Sequence, residues 1–331
     1  MNKFSYLIIG VILGTSLWMI FSFSDSNKES ESENEDSKVE TQTDTQVLTN
    51  MSPVFNPPVP SNLDFAGEEV PLSKNIVNEK IQKEFLSNSY WHSNTYMYFK
   101  RAGRWFPLIE KILKEKGIPE DFKYLAVIES GLTNATSPSG AKGFWQFMPK
   151  TAKDYGLEVT DQVEERYDVE KSTYAACVYL QKAYDKFGSW TLAAASYNMG
   201  KTGLHKQLSK QRCDNYYDLL LNVETGRYVY RILAVKSIME SPKIYGFMVN
   251  DDDVFVPFKT KSIEISKSIS NIADFAIDNN TTYAIVKRLN PWIKNNALQV
   301  SEGKTYFVRL PDGDQGLTPF KPSSNKFLIN E

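Results

Sequence analysis

The chain has 331 residues, enough for two compact domains, and its hydrophobic fraction of 41% and aromatic fraction of 13% are ample for a packed core. The net charge of −2 is unevenly distributed, because residues 24–50 carry eight acids and two lysines and leave a mildly basic remainder. Since the chain has no dense run of lysine and arginine, and its two cysteines and two histidines match no zinc or haem motif, we expect no nucleic-acid partner, no metal and no cofactor.

The N-terminal segment, residues 1–23, is predicted to enter a membrane. Residues 4–23 contain no charged side chain, and this is about the length that a helix needs to span the hydrocarbon core. Lys3 before this run and the acids after it predict an N-terminus inside and an exported remainder. We favour an uncleaved anchor because the apolar run is uninterrupted. A signal peptide cleaved near the small-x-small sequence at 22–24 is the alternative.

Residues 24–77 are predicted to be a disordered linker. The segment is first acidic and rich in serine and threonine, and then rich in proline through "SPVFNPPVP". Its first part has too little apolar content to fold. We expect it to hold the folded part of the chain away from the membrane.

Residues 78–248 have the pattern of a helical domain. Leu108, Ile109, Ile112 and Leu113 share one face of a helix that is closed by Gly117. A loop is expected over 137–143, and the further helices are predicted over 119–131, 144–155, 171–187, 190–198 and 224–239. Strand patterns are almost missing from this part of the sequence.

The helix before Gly131 carries the first candidate for catalysis. Phe122, Leu125 and Ala126 have the i, i+3, i+4 spacing of a buried face, and the next position on that face is Glu129. A carboxyl on an apolar face loses hydration, so its pKa rises and it stays protonated near neutral pH. This is the state that a general acid needs in order to donate a proton to a leaving group.

Enzymes that use a carboxylic acid in this way often add a second carboxylate, either as nucleophile or as base. The acids that follow Glu129, such as Asp154, Glu158 and Asp161, lie in polar surroundings that favour exposure to solvent. None of them is a convincing partner. The sequence therefore favours a mechanism that uses one acid.

Four short motifs stand in a definite order along the predicted helical domain. They are "VIESGL" at 127–132, "SPSGAKGFWQFMPKTAKDYGL" at 137–157, "AAASYNMGKTGL" at 193–204 and "ETGRYV" at 224–229. Together they resemble the lytic transglycosylases of the bacterial cell wall that have a lysozyme-like catalytic domain, most closely the membrane-bound ones. The resemblance covers about residues 85–245. Ser196 and Met199 depart from it, since alanine is usual at both positions.

The resemblance implies the site residues. Glu129 would be the catalytic acid and base. Ser130 would orient Glu129 or the sugar, and Trp145 and Met148 would form an apolar wall against the sugar rings. The full set of substrate-binding residues that it implies is Ser130, Gly143, Trp145, Gln146, Phe147, Met148, Tyr197, Asn198 and Tyr228.

The resemblance also implies a reaction and a location. The enzyme would cleave the bond between N-acetylmuramic acid and N-acetylglucosamine in peptidoglycan without water and would leave 1,6-anhydro ends. It would act in the bacterial cell envelope, on the periplasmic side, and residues 4–23 would anchor it in the inner membrane. A hydrolytic muramidase of the same fold and a non-catalytic peptidoglycan-binding scaffold are the alternatives. We make no prediction of the oligomeric state.

Residues 254–312 change to β-branched alternation and predict a small α+β module in the order strand, helix, helix, strand. Ile272-Ala273, Leu289-Asn290-Pro291 and Leu310-Pro311 resemble the landmarks of a divergent LysM glycan-binding module. A plain packing domain is the alternative, and residues 313–331 are expected to be a loose tail.

The predicted fold class is mainly α, with a lysozyme-like helical domain followed by this module. Cys177 is expected as a buried free thiol, with a disulfide to Cys213 as the alternative.

Overall fold

A computed structural model of the chain describes residues 54–313 and residue 317. The predicted anchor at 4–23, the acidic part of the linker and nearly all of the predicted tail lie outside these residues. Within the described part, no helix combines the length and the apolar character that crossing a bilayer requires.

A helical domain begins with a short hairpin of β1 (Asp64–Phe65) and β2 (Glu68–Glu69). Its helices are α1 (Asn75–Tyr90), α2 (His92–Glu115), α3 (Phe122–Ser130), α4 (Pro149–Asp154), α5 (Val169–Phe187), α6 (Trp190–Met199), α7 (Lys201–Gln211) and α8 (Val223–Glu240). Turns of 3₁₀-helix occur at Glu165–Tyr167, Pro242–Tyr245 and Asp251–Asp253.

Side-chain caps set the beginnings of α5 and α8. The Asp168 carboxylate accepts a hydrogen bond from the Lys171 N–H at 3.1 Å at the start of α5. Asn222 accepts one from the Thr225 N–H at 2.8 Å at the start of α8. Each cap satisfies an N–H group that has no partner inside its helix.

The core of this domain is built around α8, which packs against α1, α3 and α6. Most of α8 is buried, and its fully buried apolar residues include Val229, Ile232, Leu233, Ala234 and Ile238. Because α3 and α6 both rest on α8, the ends of these three helices are held in fixed positions relative to one another.

The C-terminal module pairs β3 (Thr260–Ile265) with β4 (Tyr306–Pro311) as antiparallel strands, with Thr260 opposite Pro311. Between the strands lie α9 (Ile272–Asp278) and α10 (Tyr283–Leu289). The predicted order of strand, helix, helix and strand is therefore observed. The core of the module contains Ile265, Ile272, Ala276, Val286, Trp292, Ile293, Leu298, Tyr306, Val308 and Leu310.

The segment before α5 joins the module to the helical domain. Val163 is fully buried within the core of the module and forms a β-bridge with Ile293. The Glu164 N–H donates to the Trp292 carbonyl at 2.8 Å, and Glu158 accepts hydrogen bonds from the module. The two parts therefore share core residues and backbone hydrogen bonds.

The fold class is as predicted: the described chain is mainly helical, and it carries a small strand-containing module at its C-terminal end. Cys177 and Cys213 are both free, and Cys177 is buried.

The predicted linker over 24–77 extends too far along the chain. Leu63, Phe65 and Val70 are buried in the main core, and α1 already begins at Asn75. Glu68 accepts hydrogen bonds from N–H groups in the first turn of α6, so the hairpin caps that helix. A few apolar residues are enough for folding here because they pack onto a core that other helices supply.

The helix predicted over 144–155 is shorter than expected, and α7 was not predicted at all. The helix α4 begins at Pro149, because Gln146 has a left-handed φ of 46° and the preceding residues form a loop. Proline suits the first position of a helix, where its missing N–H has no partner to lose. The helix α7 was missed because it is mostly polar and buries a single residue, Leu204.

Candidate active site

Glu129 lies at the end of a buried helix face, as its spacing predicted. Phe122, Leu125 and Ala126 are fully buried, while Glu129 is half-buried in the last turn of α3. The helix ends at Gly131, which has a left-handed φ of 59°. The carboxyl is therefore set into the protein, while part of the residue remains exposed to solvent.

The surroundings of Glu129 raise the pKa of its carboxyl from 4.5 to about 7. Burial is the main cause, and the negative charge of Glu224 adds to it. A hydrogen bond from Tyr228 and the positive charge of Arg231 act in the opposite direction. Near neutral pH the protonated and the ionised forms of the carboxyl are therefore both populated.

Tyr228 is the direct partner of the acid. It lies on α8 and is 7% exposed, and its hydroxyl donates a hydrogen bond to Glu129 Oε1. Burial and the charge of Glu129 raise the pKa of Tyr228 well above its ordinary value, so the hydroxyl remains a donor. This contact holds one oxygen of the carboxyl and leaves the other for a substrate.

Tyr197 lies on α6, close enough to Glu129 for the charge of the carboxyl to raise its pKa, although burial is the larger cause. Its hydroxyl donates to the Trp145 carbonyl oxygen at 2.8 Å. Its ring packs edge-on against Phe147, with centroids 5.9 Å apart, and against Tyr179 at 5.0 Å. Tyr197 therefore holds the loop that precedes α4 close to the acid.

Gly143 and Gln146 give that loop its shape. Gly143 has a φ of +81°, and a Cβ at this position would lie 1.8 Å from the Arg166 carbonyl oxygen, so only glycine fits. The Gln146 Nε2 donates to the Gly143 carbonyl at 2.8 Å and to the Ala135 carbonyl at 3.1 Å. Gln146 Oε1 accepts no hydrogen bond from any residue in the described part of the chain, so it is open to a ligand.

Ser130 connects the end of α3 to the same loop. Its hydroxyl lies 3.0 Å from the Phe144 carbonyl oxygen and 3.2 Å from the Ala126 carbonyl oxygen, and it donates to either. The predicted role of Ser130 in orienting Glu129 is therefore compatible with an indirect action, through the geometry of the helix end.

A buried ion pair between Arg166 and Glu164 braces the loop from behind. Arg166 pairs with Glu164 through its Nε at 2.6 Å and donates to the Gly140 and Phe147 carbonyls at 2.9 Å each. The Arg166 hydrogen bond and charge hold the pKa of the Glu164 carboxyl below its ordinary value, despite the desolvation that opposes them. No local pattern indicates this brace, because the two carbonyl groups that Arg166 binds are 26 and 19 residues before it in the chain.

Asn198 is held on both sides of its amide. Its Nδ2 donates to Glu224 Oε1 at 3.1 Å, and its Oδ1 accepts from the Thr225 hydroxyl at 2.6 Å. Glu224 is exposed in the first turn of α8 and is the missed acid of this site. The signal for it was its position four residues before Tyr228, which puts both on one helix face.

The prediction that Trp145 and Phe147 contact a substrate through their side chains has to be corrected. Trp145 is fully buried with its indole N–H donating to the Thr173 hydroxyl at 2.9 Å, and Phe147 is only 3% exposed. Both rings are core residues that support the loop. Met148 differs from them, since it is 42% exposed and could contact a sugar ring.

The acids that were weighed as partners of Glu129 stay apart from it. Glu158 accepts hydrogen bonds from Lys304 at 2.6 Å and from Tyr306 at 3.1 Å, so it is committed to the C-terminal module. In the range 54–313, no group of three or more histidine, cysteine, aspartate or glutamate residues could hold a metal ion. The arrangement supports proton transfer by Glu129.

Comparison with known proteins identifies both parts of the chain. Residues 107–219 match the transglycosylase SLT domain, and residues 261–314 match the soluble lytic transglycosylase C-terminal LysM-like domain. The chain is 28% identical over 260 residues to membrane-bound lytic murein transglycosylase D of Escherichia coli K12 and of E. coli O6:H1, with 76% of this chain covered.

It is also 28% identical over 164 residues to a protein of Alteromonas sp. (strain M-1) named for tributyltin chloride resistance, covering 48% of this chain and 79% of that protein. The chain spans 56% of the length of the two E. coli relatives. This chain therefore carries a transglycosylase SLT domain followed by a LysM-like domain of the type found at the C-terminus of soluble lytic transglycosylases.

Proposed function

We propose that the chain is a peptidoglycan lytic transglycosylase with Glu129 as its single acid and base. One observation carries this proposal: a half-buried carboxyl with a pKa of about 7 accepts a hydrogen bond from Tyr228, and no carboxylate in the described ranges is bonded to it. Such a group can give up a proton and take one back near neutral pH. The match to the SLT domain and the names of the E. coli relatives support the same activity.

In the proposed reaction Glu129 first donates a proton and then accepts one. Glu129 gives its proton to the oxygen that joins N-acetylmuramic acid to N-acetylglucosamine, and the C1–O bond breaks with its electron pair going to the leaving sugar. The carboxylate then takes the proton of the C6 hydroxyl as O6 bonds to C1. The product is a 1,6-anhydro ring, the acid is restored, and no water is consumed.

The other side chains would position the strand. Gln146 offers its unpaired Oε1 to an acetamido N–H, and Asn198 binds a second acetamido group next to it. Met148 presents apolar surface to a sugar ring. The Tyr228 hydroxyl stabilises the carboxylate form of Glu129 between the two proton transfers, since a hydrogen bond to the charged form favours it. Tyr197 holds the loop that carries Gln146 in place.

A hydrolytic muramidase is the second candidate, and Glu224 is the observation that favours it. Its charge reaches Glu129, and its carboxylate is exposed in the first turn of α8. In that reaction Glu224 would act as the base for an attacking water, because an inverting enzyme places its second carboxylate across the bond from the acid. Glu224 already accepts a hydrogen bond from Asn198, which favours a role in binding over one in catalysis.

The same comparison supports a proposed location. The E. coli relatives are named as membrane-bound, and residues 4–23 of this chain have the length and composition of an anchor. We place the protein in the cell envelope, on the periplasmic side of the inner membrane, with peptidoglycan strands as its partner. Fractionation of cells into membrane and soluble parts, with and without residues 4–23, tests the anchor against a cleaved signal peptide.

The activity is tested by mass spectrometry of muropeptides released from purified sacculi by the full-length chain. Wild type is compared with Glu129→Gln and with Glu224→Gln, which removes an exposed carboxylate of the same type. We expect products lighter by one water than their reducing-end counterparts from wild type, none from Glu129→Gln, and the same products from Glu224→Gln.

Reducing ends that disappear in Glu224→Gln would show a hydrolase in which Glu224 is the second acid. Release by neither wild type nor variant, together with binding to sacculi, would show a peptidoglycan-binding scaffold. Both outcomes overturn the proposed lytic activity.

A further inference from the structure

A cavity lies between the helical domain and the C-terminal module, and none of the residues of the proposed active site lines it. It has a volume of about 290 Å³, at the lower end of the range for small-molecule sites. Its lining comes from α2, from the start of α5, from the strand β3 and from the end of α10, so both parts of the chain contribute. The apolar part of the lining includes Trp105, Leu108 and Phe258.

Three arginines line this cavity, and two of them have no carboxylate partner. Arg309 pairs with Asp168 at 3.1 Å and with Glu170 at 2.7 Å. Arg104 and Arg288 form no ion pair with any residue in the ranges that the structure describes. Glu170 is the single acid among the residues that line the cavity, and it pairs with Arg309.

Arg104 and Arg288 lie against the same aromatic ring. The guanidinium carbon of Arg104 is 4.1 Å from the centroid of Phe258, and that of Arg288 is 5.4 Å from it. Arg104 donates its Nε to the Val256 carbonyl at 2.9 Å, which leaves its two terminal nitrogens free. Arg288 donates no hydrogen bond to a described residue. Two guanidinium groups are thus held close together with unused donors.

Two like charges beside one ring repel each other, and a bound anion would relieve this repulsion. The pKa of Arg104 is lowered, first by desolvation and then by the charge of Arg288. A guanidinium presents its N–H groups in a planar fork that matches a carboxylate, so a bound carboxylate would satisfy the free donors of both residues. The apolar wall beside them suits the body of a peptide residue.

We propose that this cavity binds a free carboxylate of the peptide stems that peptidoglycan strands carry, through Arg104 and Arg288. This inference rests on the proposed function for the identity of the ligand. The cavity borders the chain segment between Glu129 and Gln146, because Asn134 lines it and the Tyr167 hydroxyl lies 2.8 Å from the Thr136 hydroxyl. Peptide-bearing strands are therefore preferred over strands stripped of their peptides.

The first test measures binding without the sugar. The full-length chain, in mild detergent, is titrated with the free tetrapeptide stem and with the same peptide after amidation of its carboxylates. We expect binding of the first and no measurable binding of the second. Arg288→Gln should weaken binding of the free peptide by about tenfold, as the loss of a charge-assisted hydrogen bond does. Lys111→Gln, which removes an exposed charge from α2, should not change it.

Arg288→Gln is the decisive variant because no hydrogen bond to a described residue is lost with it. Equal binding of the two peptides, or an unchanged affinity in Arg288→Gln, would overturn the proposal. Tighter binding of poly(glycerol phosphate) than of the stem peptide would overturn the assigned ligand and show that a phosphate polymer is the partner.

The second test measures cleavage of peptide-bearing strands and of strands stripped by an amidase. We expect Arg288→Gln to lower kcat/KM about fivefold to tenfold on the first substrate and to leave the second unchanged. An equal effect on both substrates would overturn the proposal. If wild type cleaves neither substrate, the proposed function fails, while the peptide titration still decides whether the cavity binds a carboxylate.

Discussion

Replacing Glu129 with glutamine is expected to stabilise the fold above neutral pH while it abolishes strand cleavage. In the unfolded chain the carboxyl loses its proton near its ordinary pKa of 4.5, whereas in the folded chain it keeps the proton up to about 7. Between these values the folded state binds more protons than the unfolded state. The free energy of unfolding of wild type therefore falls as the pH rises through this window.

The size of the effect follows from the same two values. The interval from 4.5 to about 7 is about 2.5 pH units, and each unit corresponds to about 1.4 kcal/mol, which gives an upper limit of roughly 3.5 kcal/mol. Glutamine has nearly the same shape and never ionises, so it does not lose this amount. We expect Glu129→Gln and wild type to be equally stable near pH 4.5, and the variant to be more stable by about 2–3 kcal/mol near pH 8.

The measurement is urea unfolding followed by circular dichroism at several pH values across this window. At each pH, the free energy of unfolding of wild type is subtracted from that of the variant. The change of this difference with pH is the relevant quantity, because any packing difference that does not depend on pH cancels in it. Glu224→Gln serves as the control, since Glu224 is exposed and its replacement should give a nearly flat difference. A flat difference for Glu129→Gln as well would refute the raised pKa, and with it the protonated acid at neutral pH.

Three further changes test the site from other directions. Tyr228→Phe removes the hydrogen bond that lowers the pKa of Glu129, so the alkaline limb of kcat/KM for strand cleavage should move up by about one pH unit; a pH–rate profile with an unmoved limb would contradict this. Gly143→Ala puts a Cβ 1.8 Å from the Arg166 carbonyl oxygen and should lower the free energy of unfolding by about 2 kcal/mol or more in urea titrations, whereas an unchanged value would mean that the loop adjusts freely. Trp145→Phe removes a buried indole hydrogen bond, so it should lower the free energy of unfolding by about 1–3 kcal/mol and leave the KM for sacculi unchanged. A raised KM would show that Trp145 contacts the substrate.

The position of Glu129 could be predicted because it depends on local periodicity alone. A helix repeats its face every three to four residues, so Phe122, Leu125 and Ala126 define the buried side and Glu129 falls on it. The end of the same helix was equally local, since Gly131 supplies the left-handed residue that stops it.

The surroundings of Glu129 could not be predicted in this way. Whether Trp145 faces the core or a substrate depends on Thr173, which is 28 residues away and offers the hydroxyl that its indole N–H needs. The role of the Arg166–Glu164 ion pair likewise depends on the tertiary structure, because the fold brings the Phe147 carbonyl of the loop to Arg166. Hydrophobicity alone gives the same signal for a buried tryptophan and for one that lines a cleft.

The hairpin of β1 and β2 shows a different limit of prediction from the sequence. Its few apolar residues, such as Phe65, lie in a polar and proline-rich stretch and do not by themselves predict a folded segment. They fold because the rest of the core provides a surface for them, and this is a property of the whole chain rather than of the segment.

The joint at Val163 makes the two domains one inseparable body. A chain cut before residue 254 would leave Val163 without the apolar neighbours that bury it, and the Glu164 N–H without the Trp292 carbonyl. We therefore do not expect the helical domain to fold stably when it is expressed without the C-terminal module. A graft that exchanges the C-terminal module would have to supply both a hydrophobic pocket and a backbone acceptor at this joint. Calorimetry should record a single melting transition for both domains.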